Sequence, residues 1–306
     1  MTLVRSLVLA SIGFAAPAAA QEGFGPLVSP AELNAELGAP LILDIRGDAF
    51  AEGHIPGAVQ ASYGLFRGPA ENPGQLVTED HLEDVLGAVG LELDRPVVVV
   101  HQGDSITDFG AAARVYWTLK SSGVSSLAIL NGGVNAWQEA GFDLSTDAVA
   151  PTPTVVDISF SDEWLATTDA VLEIVNGGDE ALLLDARPES FWSGEQSHPA
   201  AARAGTLPQS EYFEHASWFD GGPAIIDPAA AQALAAEQNF DGQSQIVSFC
   251  NTGHWAATNW FALSELAGVE NVKLYPESLV GYSNAGHEMA NTPGLLQNLI
   301  NQISGG

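Results

Sequence analysis

Leu41-Ile42-Leu43-Asp44-Ile45-Arg46 and Leu182-Leu183-Leu184-Asp185-Ala186-Arg187 are one stretch of sequence written twice. Each is a short apolar run closed by Asp-x-Arg, the pattern of a strand buried on both faces of a parallel sheet. Further matches follow in the same order on both sides. Gly53-His54-Ile55-Pro56-Gly57-Ala58 has a weaker echo in Gly205-Thr206-Leu207-Pro208-Gln209-Ser210, and Val97 to Val100 followed by His101 corresponds to Ile246-Val247-Ser248-Phe249 followed by Cys250. Leu130 to Trp137 matches Tyr275 to Tyr282. Helical patterns over 111–121 and 256–266 end before Gly123 and Gly268, where glycine closes a helix at C′. Strands alternating with helices in two copies predict an α/β chain of two tandem domains, each a parallel sheet flanked by helices. The copies are expected over 26–143 and 161–290. Residues 144–160, with Pro151 and Pro153 among small polar residues, read as an extended linker, and 291–306 as a tail. The separation from His101 to Gly123 exceeds that from Cys250 to Gly268 by four residues, which predicts a longer strand-to-helix loop in the first half.

Composition narrows the function. The 306 residues are 46% hydrophobic, enough for two cores, and carry 38 acidic against 9 basic side chains, a net charge of −29. Such a field repels a phosphate backbone, and the cations form no stripe, so nucleic acid is excluded as a partner. One cysteine excludes an internal disulfide and a cysteine-based zinc site.

Residues 1–20, MTLVRSLVLASIGFAAPAAA, combine Arg5, an apolar run and the small triplet Ala18-Ala19-Ala20, the pattern of a secretory signal cleaved after Ala20. The run is too short, and Pro17 too disruptive, for a spanning helix. An exported protein without stable membrane insertion follows, periplasmic in a Gram-negative source. A lone free thiol in that setting calls for an explanation.

Cys250 closes an apolar strand and precedes a helix expected to start near Trp255 or Ala256, so the intervening amides and the helix's positive end face its sulfur and favour the thiolate. A thiolate so placed is a nucleophile, and Gly253 lets the loop wrap closely around whatever the sulfur carries. The first half has His101 at the same place.

These features together resemble the tandem rhodanese family of thiosulfate sulfurtransferases. Leu183-Leu184-Asp185-Ala186-Arg187 and Cys250-Asn251-Thr252-Gly253-His254-Trp255 resemble the catalytic domain's strand and active loop. Asp44-Ile45-Arg46, Gly53 to Ala58, Ala113-Arg114-Val115-Tyr116-Trp117 and Leu130 to Gly133 resemble the inactive partner domain. The resemblance spans roughly residues 26 to 290. It implies two rhodanese-like domains and a double displacement through a Cys250 persulfide, with a small-molecule sulfur donor and a cyanide or thiol acceptor, and no cofactor. The amides of residues 251 to 255 would stabilise the terminal sulfur, and Arg187 would hold the donor's sulfonate, unless it pairs with Asp185 instead. His254 would donate to substrate or lower the thiol's pKa, or else sit in solvent. Trp255 would wall the pocket or pack under the helix. Arg203 is a second candidate for the donor, or a surface cation.

The loop departs from the family in having no Arg or Lys, and it differs from the Cys-Gly-Ser-Gly-Val-Thr type that handles mercaptopyruvate. With only Arg187, Arg203 and Lys273 as cations in the second half, an anionic donor needs a locally positive pocket or screening by salt. A Cys-x5-Arg phosphatase loop is excluded because position 256 is Ala, and the seven histidines form no His-x3-His pair. The remaining competitor is a persulfide or selenium carrier, or a redox-binding rhodanese module, that serves a protein partner without turnover on free thiosulfate.

Overall fold

In the computed structural model, which describes residues 25–294, the strands lie where the repeat places them. Leu27–Val28 (β1), Leu41–Asp44 (β2), Val59–Gln60 (β3), Val97–Val100 (β4) and Leu127–Leu130 (β5) form one all-parallel sheet in the order β1-β5-β4-β2-β3. Leu182–Asp185 (β6), Glu211–Tyr212 (β7), Ile246–Phe249 (β8) and Val272–Leu274 (β9) form a second, in the order β7-β6-β8-β9. Four consecutive valines make β4 because branched side chains pack well on a pleat covered on both faces, and all four are buried. The pairings of β2 with β4 and of β6 with β8 put Asp44 beside Val100 and Asp185 beside Phe249. His101 and Cys250 therefore leave equivalent strand ends. The proposed signal segment, 1–20, lies outside the described residues, as does most of the proposed tail. No helix among the described residues is long and apolar enough to cross a membrane.

The weaker echoes of the repeat acquire physical meaning here. Arg46 donates through Nη2 to the Gly53 carbonyl at 2.7 Å, and Arg187 does the same to Gly205 at 2.9 Å. The carbonyls of His101 and Gln102 accept from Val134 and Asn135, as those of Cys250 and Asn251 accept from Leu279 and Val280. One expectation fails. Both strand-to-helix loops have the same length, because helices begin at Ile106 and at Trp255. Ser105 accepts from the Asp108 N–H and so caps the first helix at its start, and the extra four residues become about one more turn of helix, to Ser121. The second helix runs Trp255–Trp260 and continues through a π-helical turn, Phe261–Leu266.

Those two helices join the domains. One apolar cluster contains Phe109, Ala113, Tyr116 and Trp117 of the first and Ala257, Trp260 and Phe261 of the second. Tyr116 and Phe109 meet Phe261 edge-on at 5.0 and 5.5 Å. Each such ring contributes roughly 1.5–3 kcal/mol by leaving water. Lys120 pairs with Glu265 at the margin, at 3.0 Å. Because the core is continuous across the interface, the loop at the start of the second helix is held against the first domain.

Candidate active site

Cys250 is 1% exposed and its backbone is held from below. Its N–H donates to Ser278 Oγ at 3.0 Å, and that hydroxyl donates to the Tyr275 carbonyl at 2.7 Å. Ser278 has φ +50°, a conformation unfavourable for a residue with a side chain, and occupies the place of Gly133, φ +65°, in the first domain. A hydroxyl under the cysteine backbone compensates for the strain that glycine would relieve.

The N–H groups of residues 251–255 find no oxygen acceptor among the described residues. Asn251 and Thr252 are buried, so these amides, next in sequence to the thiol, are donors left for an anion. Gly253 has φ +69°, and a Cβ there would stand 2.5 Å from the Pro276 carbonyl and 2.6 Å from Arg114 Nη1. Glycine is required on both counts.

Arg187 is placed differently from the donor-holding role. Its Nε and Nη2 form a fork on Asp185 at 2.9 and 2.7 Å, Nη2 also reaches Gly205 O, and Nη1 donates to Asn251 Oδ1 at 3.2 Å. Thr206 donates to the same Asp185 carboxylate. This network fixes the start of the loop and leaves no fork for a sulfonate. Arg203 is exposed, bonded to the His287 carbonyl, and Lys273 donates to the carbonyls of Asp162 and Leu165. Neither contacts the loop.

His254 is committed to the first domain. Its Nε2–H donates to the Thr107 carbonyl at 2.7 Å, which leaves Nδ1 to accept from Tyr63 OH at 3.0 Å. Burial, seconded by Arg67, pushes its pKa down to about 4, so the ring is neutral and cannot offer a cation to the thiol at neutral pH. Trp255 stacks on His215 at 5.1 Å and donates to Thr107 Oγ1 at 3.3 Å, so it packs between the domains.

The cations absent from the loop come from the other domain. Arg67 Nη1 donates to the Thr252 carbonyl at 2.9 Å and lies over the Tyr63 ring, 5.2 Å from its centre. Arg114, wholly buried, reaches the carbonyls of Gly74 at 3.1 Å and Gly253 at 3.5 Å. Burial and Arg67 push its pKa down to about 9, opposed by the negative charges that Tyr63 and Cys250 can carry. Sequence reasoning passed over Tyr63, Arg67, Thr107 and Ser278. Arg114 stood within a quoted motif without a role.

Two copies of one α/β unit, with a cysteine at one strand end and a histidine at the other, agree with what known proteins show. The model of the rhodanese-like domain matches residues 29–140 and again 167–285. The chain belongs to the rhodanese-like family. A thiosulfate sulfurtransferase of Azotobacter vinelandii is 30% identical over 273 residues, 87% of this chain and 94% of that protein. A sulfur carrier protein, TtuD, of Thermus thermophilus is 26% identical over 255 residues, 79% of this chain and 87% of that protein. Among solved structures, an anaerobic ergothioneine biosynthesis enzyme from Chlorobium limicola superposes with a TM-score of 0.74 at 20% identity, over 89% of this chain and 72% of the other, and so shares the fold. This tandem rhodanese has homologues that transfer or carry sulfur.

Proposed function

We propose that this rhodanese moves a sulfane sulfur from thiosulfate, or a similar donor, to cyanide or a thiol through a persulfide on Cys250. The observation that carries the reading is the pairing of a strand-end thiol with five successive amides that find no oxygen acceptor. The Cys250 thiolate attacks the outer sulfur of thiosulfate. A bond forms between the two sulfurs, the donor's S–S bond breaks, and its electron pair leaves on sulfite. The terminal sulfur then carries the negative charge, and the amides of 251–255 stabilise it as donors to a sulfane anion. Cyanide attacks that sulfur, thiocyanate leaves, and the electron pair returns to Cys250 Sγ. A thiol acceptor takes the sulfur in the same way and becomes a hydropersulfide. No cofactor enters either step.

The 1% exposure of Cys250 favours a second reading, a carrier whose persulfide, or its selenium counterpart, is released only to a docking protein. We place either activity outside the cytoplasm, in the periplasm of a Gram-negative source, on the strength of residues 1–20. The test is incubation of the mature protein with thiosulfate and cyanide. Thiocyanate should accumulate, the intact protein should gain the mass of one sulfur atom before cyanide is added, and Cys250→Ser should abolish both. A mass gain without thiocyanate would select the carrier, and no mass gain would end the persulfide reading.

A further inference from the structure

The two arginines that follow the matching strand ends are neutralised where they stand. Arg46 and Arg187 each pair with an aspartate two residues earlier, at 2.8 and 2.7 Å. Half-buried Arg67 and fully buried Arg114 are placed differently. Neither makes an ion pair with a carboxylate among the described residues, although the chain has 38 acidic side chains to choose from. Arg114 is 0% exposed, its recorded acceptors are the neutral carbonyls of Gly74 and Gly253, and its Nε has no partner. Two like charges this close repel, and one is fully removed from water, a costly arrangement unless an anion completes it. Both lie against the loop that follows Cys250, Arg67 on Thr252 and Arg114 on Gly253.

We propose that Arg67 and Arg114, both from the domain without the cysteine, form the oxoanion subsite of the sulfur donor, which is thereby a small dianion of the thiosulfate type. This rests on the persulfide reading of Cys250. Two guanidinium charges balance the two charges of the donor, and they hold the oxygens that leave as sulfite while the outer sulfur passes to Sγ. The subsite also resolves the problem of a chain with net charge −29 receiving an anion: the positive field is confined to the domain interface and is shielded from the acidic surface. Tyr63, beneath Arg67 and bonded to His254, sets the distance between the subsite and the loop. Arg187, held by Asp185, is a positioning residue for the loop instead.

The test compares two donors on one protein. Thiosulfate and an alkyl hydropersulfide, R–S–SH, both deliver their outer sulfur to Cys250, releasing sulfite and a thiolate respectively, and only the first carries oxygens for an oxoanion site. Arg67→Met should raise the KM for thiosulfate about tenfold or more, with a smaller change in kcat, while persulfide formation from the hydropersulfide falls much less. Arg67→Lys should recover part of the loss, since it restores charge but not the fork. Arg114→Lys, which keeps a charge in the buried position, should shift the same ratio in the same direction. An unchanged KM for thiosulfate in Arg67→Met, or an equal loss with both donors, would overturn the assignment. Sulfite binding to Cys250→Ser, followed by tryptophan fluorescence, judges the subsite without turnover: it should weaken about tenfold when Arg67→Met is added. If wild-type Cys250 takes sulfur from neither donor while sulfite still binds through Arg67, the persulfide reading fails and the anion site stands.

Discussion

The loop after β4 and the loop after β8 leave equivalent strand ends and are equally long, yet their amides are in opposite states. In the first, Gly103 and Asp104 donate to one carboxylate oxygen of Asp108, at 3.0 and 3.1 Å. In the second, the amides of 251–255 have no such oxygen, and position 257, the counterpart of Asp108, is Ala. The first loop carries its own anion and the second awaits one. His101 and Cys250 differ in the same sense: a neutral imidazole sits where the nucleophile would stand, its pKa pushed to about 4 mainly by burial. The two domains thus differ over the whole loop and not at one residue, because a thiol placed at position 101 would still face amides already occupied by Asp108.

The largest effect expected from breaking this comparison is in the second loop. Gly253→Ala places a methyl group against the Pro276 carbonyl and Arg114, at a φ of +69° that alanine disfavours. The loop must flatten, which misaims the amides, and single-turnover persulfide formation should fall about 100-fold while the fold survives by circular dichroism. A change of threefold or less would mean that amide geometry does not govern the reaction.

A smaller effect is expected in the first loop. Asp108→Ala leaves the Gly103 and Asp104 amides without their carboxylate and should cost about 1–2 kcal/mol of stability in urea unfolding. Added sulfate should recover more stability in this variant than in wild type, because it can occupy the vacated donors. If sulfate acts equally on both, the two loops are not alternatives of one anion site.

The repeat made most of the fold legible, because a buried parallel strand needs an unbroken apolar run and the Asp-x-Arg ending recurs wherever an arginine ties a strand end to a glycine carbonyl. The strand-end place of Cys250, the positive φ of Gly253 and the unbonded amides follow from a local strand-loop-helix geometry in the same way. Loop length was misread because residues inserted before Gly123 lengthen a helix as readily as a loop. Of the two roles left open for Arg187, the pairing with Asp185 is the one seen, because an aspartate two positions earlier captures its fork. Arg67 was not legible at all. Its bond to Thr252 crosses from one domain to the other, and cations sought only in the half that holds Cys250 could not include a charge delivered by the other half.

The smallest effect separates the two histidines. His254 and His101 are both neutral, with pKa values about 4, but His254 bridges the domains through Thr107 and Tyr63, whereas among the described residues no hydrogen bond ties the His101 ring to the other domain. In the unfolded chain each titrates near 6.5, above its folded value, so between those values the unfolded state binds more protons. Stability must therefore fall as pH is lowered through this window, and level off below it. From pH 7 to about pH 5.5 each ring should account for a loss of about 1 kcal/mol, less for His254 to the extent that solvent reaches it. His101→Phe should remove its share of that slope and leave the domain contact intact. His254→Gln should remove its share and also loosen the contact, so that Cys250 reacts faster with a thiol reagent at every pH. Equal thiol reactivity in the two variants would show that His254, like His101, only fills space.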